Sequence, residues 1–154
     1  MAKYSGFTSE DIDAIHKNAS EQWKPVFEVL AFSGIRPAEL VWLRWMDVDM
    51  VGNVLHIRQQ RGWKPKFGVA RSVPMHPRVR AVLEQLPRYY SWVFTSEPSE
   101  RFPVAGRRIS GLQLLQAFRT AMRTAGITKG TAHGLRSFYL WHIANKTSPG
   151  GEAK

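Results

Sequence analysis

A glycine and a proline three residues apart, closing one apolar run and opening another, constrain this chain more than any other feature. Val26, Leu30 and Phe32 mark the end of an apolar helical stripe. In the stretch Ser33-Gly34-Ile35-Arg36-Pro37-Ala38-Glu39-Leu40, Gly34 fits the position just past a helix C-terminus, where a left-handed φ is needed. Pro37 fits the first turn of the next helix, where its missing N–H has no partner to lose. The chain therefore turns a tight helix–helix corner, and Arg36 sits on it, at or just before a helix N-terminus. Unpaired N–H groups and the positive end of the helix dipole favour an anion at such a corner. An arginine there suits a phosphate gripped by two donors. A surface arginine beside a capped helix satisfies the same residues, so the segments downstream decide between the two.

The remaining patterning predicts a mainly helical α+β domain with a small antiparallel sheet. Thr8, with Asp11 three residues on and Phe7 facing Ile12, forms a helix start with a capping box and a hydrophobic staple. Ser20 is placed to cap a second helix, which tolerates Pro25 early and buries Trp23, Val26, Phe27 and Leu30. A third helix starts near Pro37 and buries Leu40 and Leu43. Residues 47–53 read as a short strand and turn, and residues 54–59 as a strand of β-branched and apolar residues. Residues 61–68 form a basic turn carrying Arg61, Lys64 and Lys66, and residues 69–74 return as a strand ending Val73-Pro74. Pro77 opens a helix with Val79, Val82, Leu83 and Leu86 on one side, and Pro87 stops it. Residues 89–94 read as a short extended segment, and residues 95–108 as a mobile loop. Ser110 caps a longer helix with Leu112, Leu115, Phe118 and Met122 as its apolar positions. A final helix runs from Ala132 to about Asn145 with Leu135, Phe138 and Ile143 inward. The breaker-rich residues 146–154 read as a disordered tail beyond a single domain of residues 1–145.

Composition narrows the partner. The 154 residues hold 22 Lys+Arg against 12 Asp+Glu, a formal charge of +10, which points to a polyanion, nucleic acid before a membrane surface. Six Trp, four Tyr and eight Phe within a 44% apolar chain supply a packed core. The chain holds no cysteine, which excludes disulfides and Cys-ligated metal and accords with a reducing cytoplasm. Residues 1–6 lack an apolar signal core, and no run approaches transmembrane length. The expected location is cytoplasmic.

His133-Gly134-Leu135-Arg136 places His133 and Arg136 three apart, on one face of a helical turn. Alone that pair says little. Taken in order, however, the Arg36 box, a lysine hairpin between two strands and the His133 box resemble the catalytic domain of the tyrosine recombinase, or phage integrase, family. Ser33 to Leu40 reproduces the family's Thr/Ser-Gly-Leu/Ile-Arg-x-x-Glu-Leu box. His133 to Arg136 reproduces its His-x-Leu-Arg box, and Val73-Pro74 the ending of its lysine hairpin. The likeness covers about Phe7 to Asn145.

The resemblance implies DNA breaking and rejoining, as in the integration of mobile genetic elements, through a tyrosine that attacks a phosphodiester and leaves a 3′-phosphotyrosine. Charge develops on the non-bridging oxygens, and two arginines positioned in advance stabilise it. By resemblance these are Arg36 and Arg136. Lys66, or alternatively Lys64, gives a proton to the leaving 5′ oxygen. His133 hydrogen-bonds the phosphate or assists proton transfer, and Glu39 stands behind Arg36 and orients it. Lys64, Arg61 and Arg71 are expected to contact DNA around the site. No metal or other cofactor is implied, and the partners are duplex DNA and other recombinase protomers. The expectation is that Arg36, His133 and Arg136 converge on one basic pocket.

The family pattern continues to a Gly-His or Gly-Trp pair and then the nucleophilic tyrosine. Of the 18 residues after Arg136, the one tyrosine is Tyr139, on the same helix as that arginine. Tyr4, Tyr89 and Tyr90 lie in other segments. The sequence also holds no N-terminal clamping domain of the family's kind. These departures predict a phosphate pocket without its attacking group, in a chain that binds DNA weakly and forms no covalent link by itself. Two other readings remain open at this level: a non-catalytic DNA-binding remnant or regulator, and a metal-independent phosphodiesterase using His133 and Lys66 on water. Type IB topoisomerases share a related pocket.

Overall fold

A computed structural model of the chain describes residues 4 and 6–144. Among these described residues, six helices and a three-stranded sheet surround one apolar core that runs from Phe7 to Phe138. Helix α1 (Ser9–Asn18) begins at Thr8, whose hydroxyl accepts the Asp11 N–H at 3.1 Å while the Asp11 carboxylate accepts the Thr8 N–H at 2.9 Å. That reciprocal cap satisfies two otherwise unpaired donors.

Helix α2 (Lys24–Ser33) is the central element. Every residue from Val26 to Ser33 is buried, and the helix packs against α1, α4 (Pro77–Gln85) and α6 (Gly134–Phe138). It starts later than a Ser20 cap implies. Ser20 instead closes a separate turn, accepting the Trp23 N–H, and Trp23 takes the cap position with Pro25 in the first turn. Proline is accommodated there because first-turn N–H groups have no helical acceptor. The buried charge of α2 is matched: Arg78 of α4 donates to both oxygens of Glu28, at 2.6 and 3.2 Å.

Helix α3 (Pro37–Val41) follows the corner directly. Strands β1 (Val48–Asp49), β2 (Val54–Ile57) and β3 (Arg71–Pro74) form an antiparallel sheet in sequence order, with Leu55 opposite both Val48 and Val73, and Ile57 opposite Arg71. The regular strands are shorter than the patterning predicts, because pairing gives way beyond Ile57 to a Gln60–Trp63 bridge and a single 3-10 turn, Lys66–Gly68.

The loop of this hairpin is seated on the end of α3. The Trp63 ring stacks on Trp42 at 5.9 Å, and the Arg108 guanidinium lies 4.1 Å from the Trp42 ring centre. Gln60 donates to the Trp42 carbonyl at 2.6 Å and accepts from Arg44 Nε at 2.7 Å. Stacked aromatic and cation–π contacts of this kind hold position at modest cost in ordering.

Helix α5 (Gly111–Thr124) is capped reciprocally by Ser110 and Gln113. Its apolar stripe differs in phase from the predicted one. Leu114, Phe118, Ala121 and Met122 are buried, whereas Leu112 is 64% exposed. The phase is set by Phe118, whose ring meets Phe27 at 5.3 Å and Phe7 at 5.9 Å. Residues 95–108, expected to be loose, are closed at their base. Thr95 pairs with Arg108, the Ser96 N–H donates to the Arg107 carbonyl at 2.7 Å, and the Ser96 hydroxyl donates to Gln113 at 3.0 Å.

Helix α6 starts at Gly134 rather than Ala132 and widens into a π-helical turn, Tyr139–Ile143. Leu135 and Phe138 face the core as predicted. Asn145 and the 146–154 tail lie outside the described residues. Among the described residues no helix is long and apolar enough to cross a membrane.

Candidate active site

The site is assembled at the corner between α2 and α3. Gly34 ends α2 with φ 73°, and its N–H donates back to Leu30 at 3.3 Å. The chain then extends through buried Ile35 to Arg36, which caps α3 with extended backbone (φ −78°, ψ 150°). Glu39, in the first turn of α3, is 2% exposed and is the hub of a charged cluster. Its Oε1 accepts the Arg36 backbone N–H at 2.8 Å, and its Oε2 receives Arg36 Nη1 at 3.5 Å. Arg71 of β3 donates to both oxygens, Nη1 to Oε2 and Nη2 to Oε1, each at 2.7 Å. That two-pronged geometry is the strongest form of carboxylate–guanidinium pairing.

Arg136 enters from α6 and donates through Nη1 to the Gly34 carbonyl, so the last turn of α2 fixes it. Burial pushes its guanidinium pKa down, and the neighbouring charges of Arg36 and Arg71 push it further, against the pull of Glu39. Burial pushes the Glu39 carboxyl up, but hydrogen bonds from Arg71 and the Arg36 N–H, with both guanidinium charges, outweigh it and hold the pKa below the ordinary range. Conversely, the Glu39 hydrogen bonds raise that of Arg71. Three part-buried guanidiniums and one buried carboxylate thus share this corner, an excess of two positive charges. An excess of positive charge of this kind suits an anionic partner.

Of the pocket expected from Arg36, His133 and Arg136, with Glu39 behind, the contacts among the described residues link Arg36, Glu39 and Arg136. His133 precedes α6 by one residue, one turn before Arg136, and is exposed. Lys66 opens the 3-10 turn on the returning limb of the hairpin; Lys64 and Arg61 lie nearer its tip, and all three are exposed. Arg71 differs from expectation. Assigned with Arg61 and Lys64 to DNA contact, it instead commits its guanidinium to Glu39. The signal was present in the strand alternation: Arg71 shares a face with buried Val73, and a charge on an inward face requires a partner.

Tyr139 is also placed by packing. Its half-buried ring lies against Gly34, so closely that a methyl group on that residue would overlap it. Burial pushes the phenol pKa up and Arg136 pulls it part of the way back. Tyr4 stacks on Trp141 at 5.1 Å, and Tyr90 lies against Gly106.

A helical domain with a three-stranded antiparallel sheet, holding two arginines from separate boxes around one recess, has the architecture of a tyrosine-recombinase catalytic domain. The lambda integrase catalytic core superposes with a TM-score of 0.70 at 19% identity, covering 94% of this chain and 90% of that one. A lambda integrase (75-356) dimer bound to a COC' core site gives a TM-score of 0.71 at 17% identity, over 96% of this chain and 56% of that one. In sequence, a Sinorhizobium fredii protein named integrase/recombinase y4rE is 32% identical over 125 residues, 74% of this chain. Residues 6–150 match the Phage integrase family, and the chain belongs to it. It spans 39% of the length of the Sinorhizobium relative.

Proposed function

We propose that this domain binds duplex DNA and holds a backbone phosphate between Arg36 and Arg136, as the phosphate-activating part of a site-specific DNA recombinase. The observation that carries this reading is the cluster of three arginines around the single buried carboxylate of Glu39, with its excess of two positive charges. In this reading the guanidiniums of Arg36 and Arg136 take the non-bridging oxygens. Lys66 donates a proton to the leaving 5′ oxygen, and His133, one turn from Arg136, hydrogen-bonds the phosphate. Lys64 and Arg61 contact the flanking backbone, and further protomers assemble on the same DNA. The DNA-bound integrase dimer among the structural neighbours supports the partner, and the recombinase name of the Sinorhizobium relative supports the reaction.

In this reading neither Tyr139 nor Tyr4 is the attacking group. Tyr139 is wedged against Gly34 with a raised pKa, on the same helical stretch as Arg136, and Tyr4 is stacked on Trp141. In-line attack requires the nucleophile about 3–3.5 Å from phosphorus, opposite the leaving oxygen. The 154-residue polypeptide is therefore expected to yield no covalent adduct with a nicked suicide duplex. A band that survives denaturant and disappears on protease treatment contradicts this; its persistence in Tyr139→Phe assigns it to another tyrosine. Recovery of the band on adding a fragment bearing a Gly-His and tyrosine box supports a recombinase domain over a binding regulator.

Duplex binding itself is expected to be weak and strongly salt-dependent, with little sequence preference. Each phosphate neutralised contributes about −0.9 to the slope of log K against log salt. A flat titration, or no binding at low salt, contradicts the reading.

A further inference from the structure

We propose that Arg71 is a positioning residue that occupies Glu39 and thereby keeps the Arg36 guanidinium available to a phosphate. The inference rests on reading Arg36 and Arg136 as a phosphate clamp.

Glu39 is the carboxylate hub of a cluster of three arginines, and an ionised carboxylate this deeply buried takes the strongest donors within reach. Arg71 supplies two parallel donors at 2.7 Å. Arg36 gives its backbone N–H at 2.8 Å, but its side chain reaches Glu39 through one nitrogen at 3.5 Å, beyond a normal hydrogen bond. The two side chains are about equally exposed, 28% for Arg36 and 29% for Arg71, so accessibility does not explain the difference. Geometry does. Arg71 approaches from β3 and donates to both oxygens, leaving Arg36 held by its main chain and by one long side-chain contact among the described residues.

Without Arg71, both oxygens turn to Arg36, three residues away on the same corner. A closed Arg36–Glu39 pair then competes directly with the phosphate. Arg71 also ties β3 to α3. Lys66 lies five residues before it on the same returning limb, so this contact and the Trp42–Trp63 stack together set the hairpin against the corner.

The test is a mutant cycle read by duplex DNA binding at low salt, with thermal melts run alongside. Arg71→Met is expected to weaken binding about tenfold, against about twofold for Arg123→Ala, an exposed charge on α5. Arg36→Ala is expected to weaken binding severalfold in the wild type and to have no further effect in Arg71→Met, because the captured side chain has already been lost to the phosphate. In Glu39→Gln/Arg71→Met, which removes the competing charge together with its partner, Arg36→Ala is expected to weaken binding again as in the wild type.

Additive losses for Arg36→Ala and Arg71→Met overturn the proposal, because independent charges add. If Arg71→Met does not fold, the Glu39→Gln/Arg71→Met background decides: insensitivity to Arg36→Ala there overturns it. Equal effects of Arg36→Ala, Arg136→Ala and Arg123→Ala in the wild type remove the clamp reading itself, and the Arg71 proposal with it. Failure of the Arg71 proposal alone leaves the arginine effects intact and only the coupling absent.

Discussion

Gly34→Ala is expected to destabilise the domain by about 2–5 kcal/mol, a large share of the roughly 5–15 kcal/mol that holds a domain of this size. Two independent terms combine. At φ 73° the new Cβ meets its own backbone, which costs about 1–2 kcal/mol. The same Cβ points into the Tyr139 ring, and overpacking a closed contact costs about 1–3 kcal/mol more. The stretch that carries Tyr139 is anchored by Arg136 to the Gly34 carbonyl, which limits a backbone shift away from the new methyl. Denaturant unfolding of Gly34→Ala and of Gly34→Ala/Tyr139→Ala separates the terms. The double variant recovers the overlap and retains the strain. A loss below about 1 kcal/mol in the single variant contradicts the account.

Glu39→Ala is expected to cost about 3 kcal/mol, because it leaves three neighbouring guanidiniums without their counter-charge. The sign of the accompanying pH dependence follows from the depressed carboxyl pKa. A carboxyl whose pKa is lowered by folding contributes stability that is fully present above its unfolded value, about 4.3 for glutamate. That contribution is lost as pH falls through the lower folded value. Glu39→Gln is therefore expected to show a flatter loss of stability on acidification than the wild type, starting just below the ordinary glutamate range. Parallel acid profiles for the two proteins contradict the assignment of Glu39 as the ionised hub.

These two variants probe the features that were read with opposite ease. Gly34 was legible because its constraint is local. A glycine between an apolar helix and a proline serves to take the left-handed backbone that ends the helix, and the structure places it at φ 73°. The Thr8 and Ser110 caps were legible for the same reason, since a capping box acts over three residues. The two arginine boxes were legible as motifs, and α2, buried from Val26 to Ser33, carries the corner that brings them together.

Where several local solutions were close in energy, patterning was insufficient. The expected phase of α5 put Leu112 inward, but Leu114 is buried in its place, with Phe118 against Phe7 and Phe27. Ser20 read as the start of α2, but the helix adopted begins after Trp23, with Pro25 in its first turn. The 95–108 segment has no periodicity, so nothing local disclosed that the buried side chain of Ser96 holds it to Gln113.

Sequence alone determined the helical class, the small sheet, the corner at Gly34 and Pro37, and the two boxes that carry Arg36 and Arg136. Those depend on backbone sterics, capping and motif spacing, interactions that span a few residues or repeat a recognisable pattern. Tertiary structure alone decided that Arg71 belongs to Glu39 and that Tyr139 is spent on covering Gly34. The partners in these contacts are 32 and 105 residues apart in the chain. A buried carboxylate takes whichever donor the packed fold brings within reach, and a bare glycine surface takes whichever ring the fold presses upon it. Strand alternation marks Arg71 as a charge in need of a partner, but which partner each group takes is not recorded in the neighbouring residues, because the desolvation that drives the choice exists only once the core has closed.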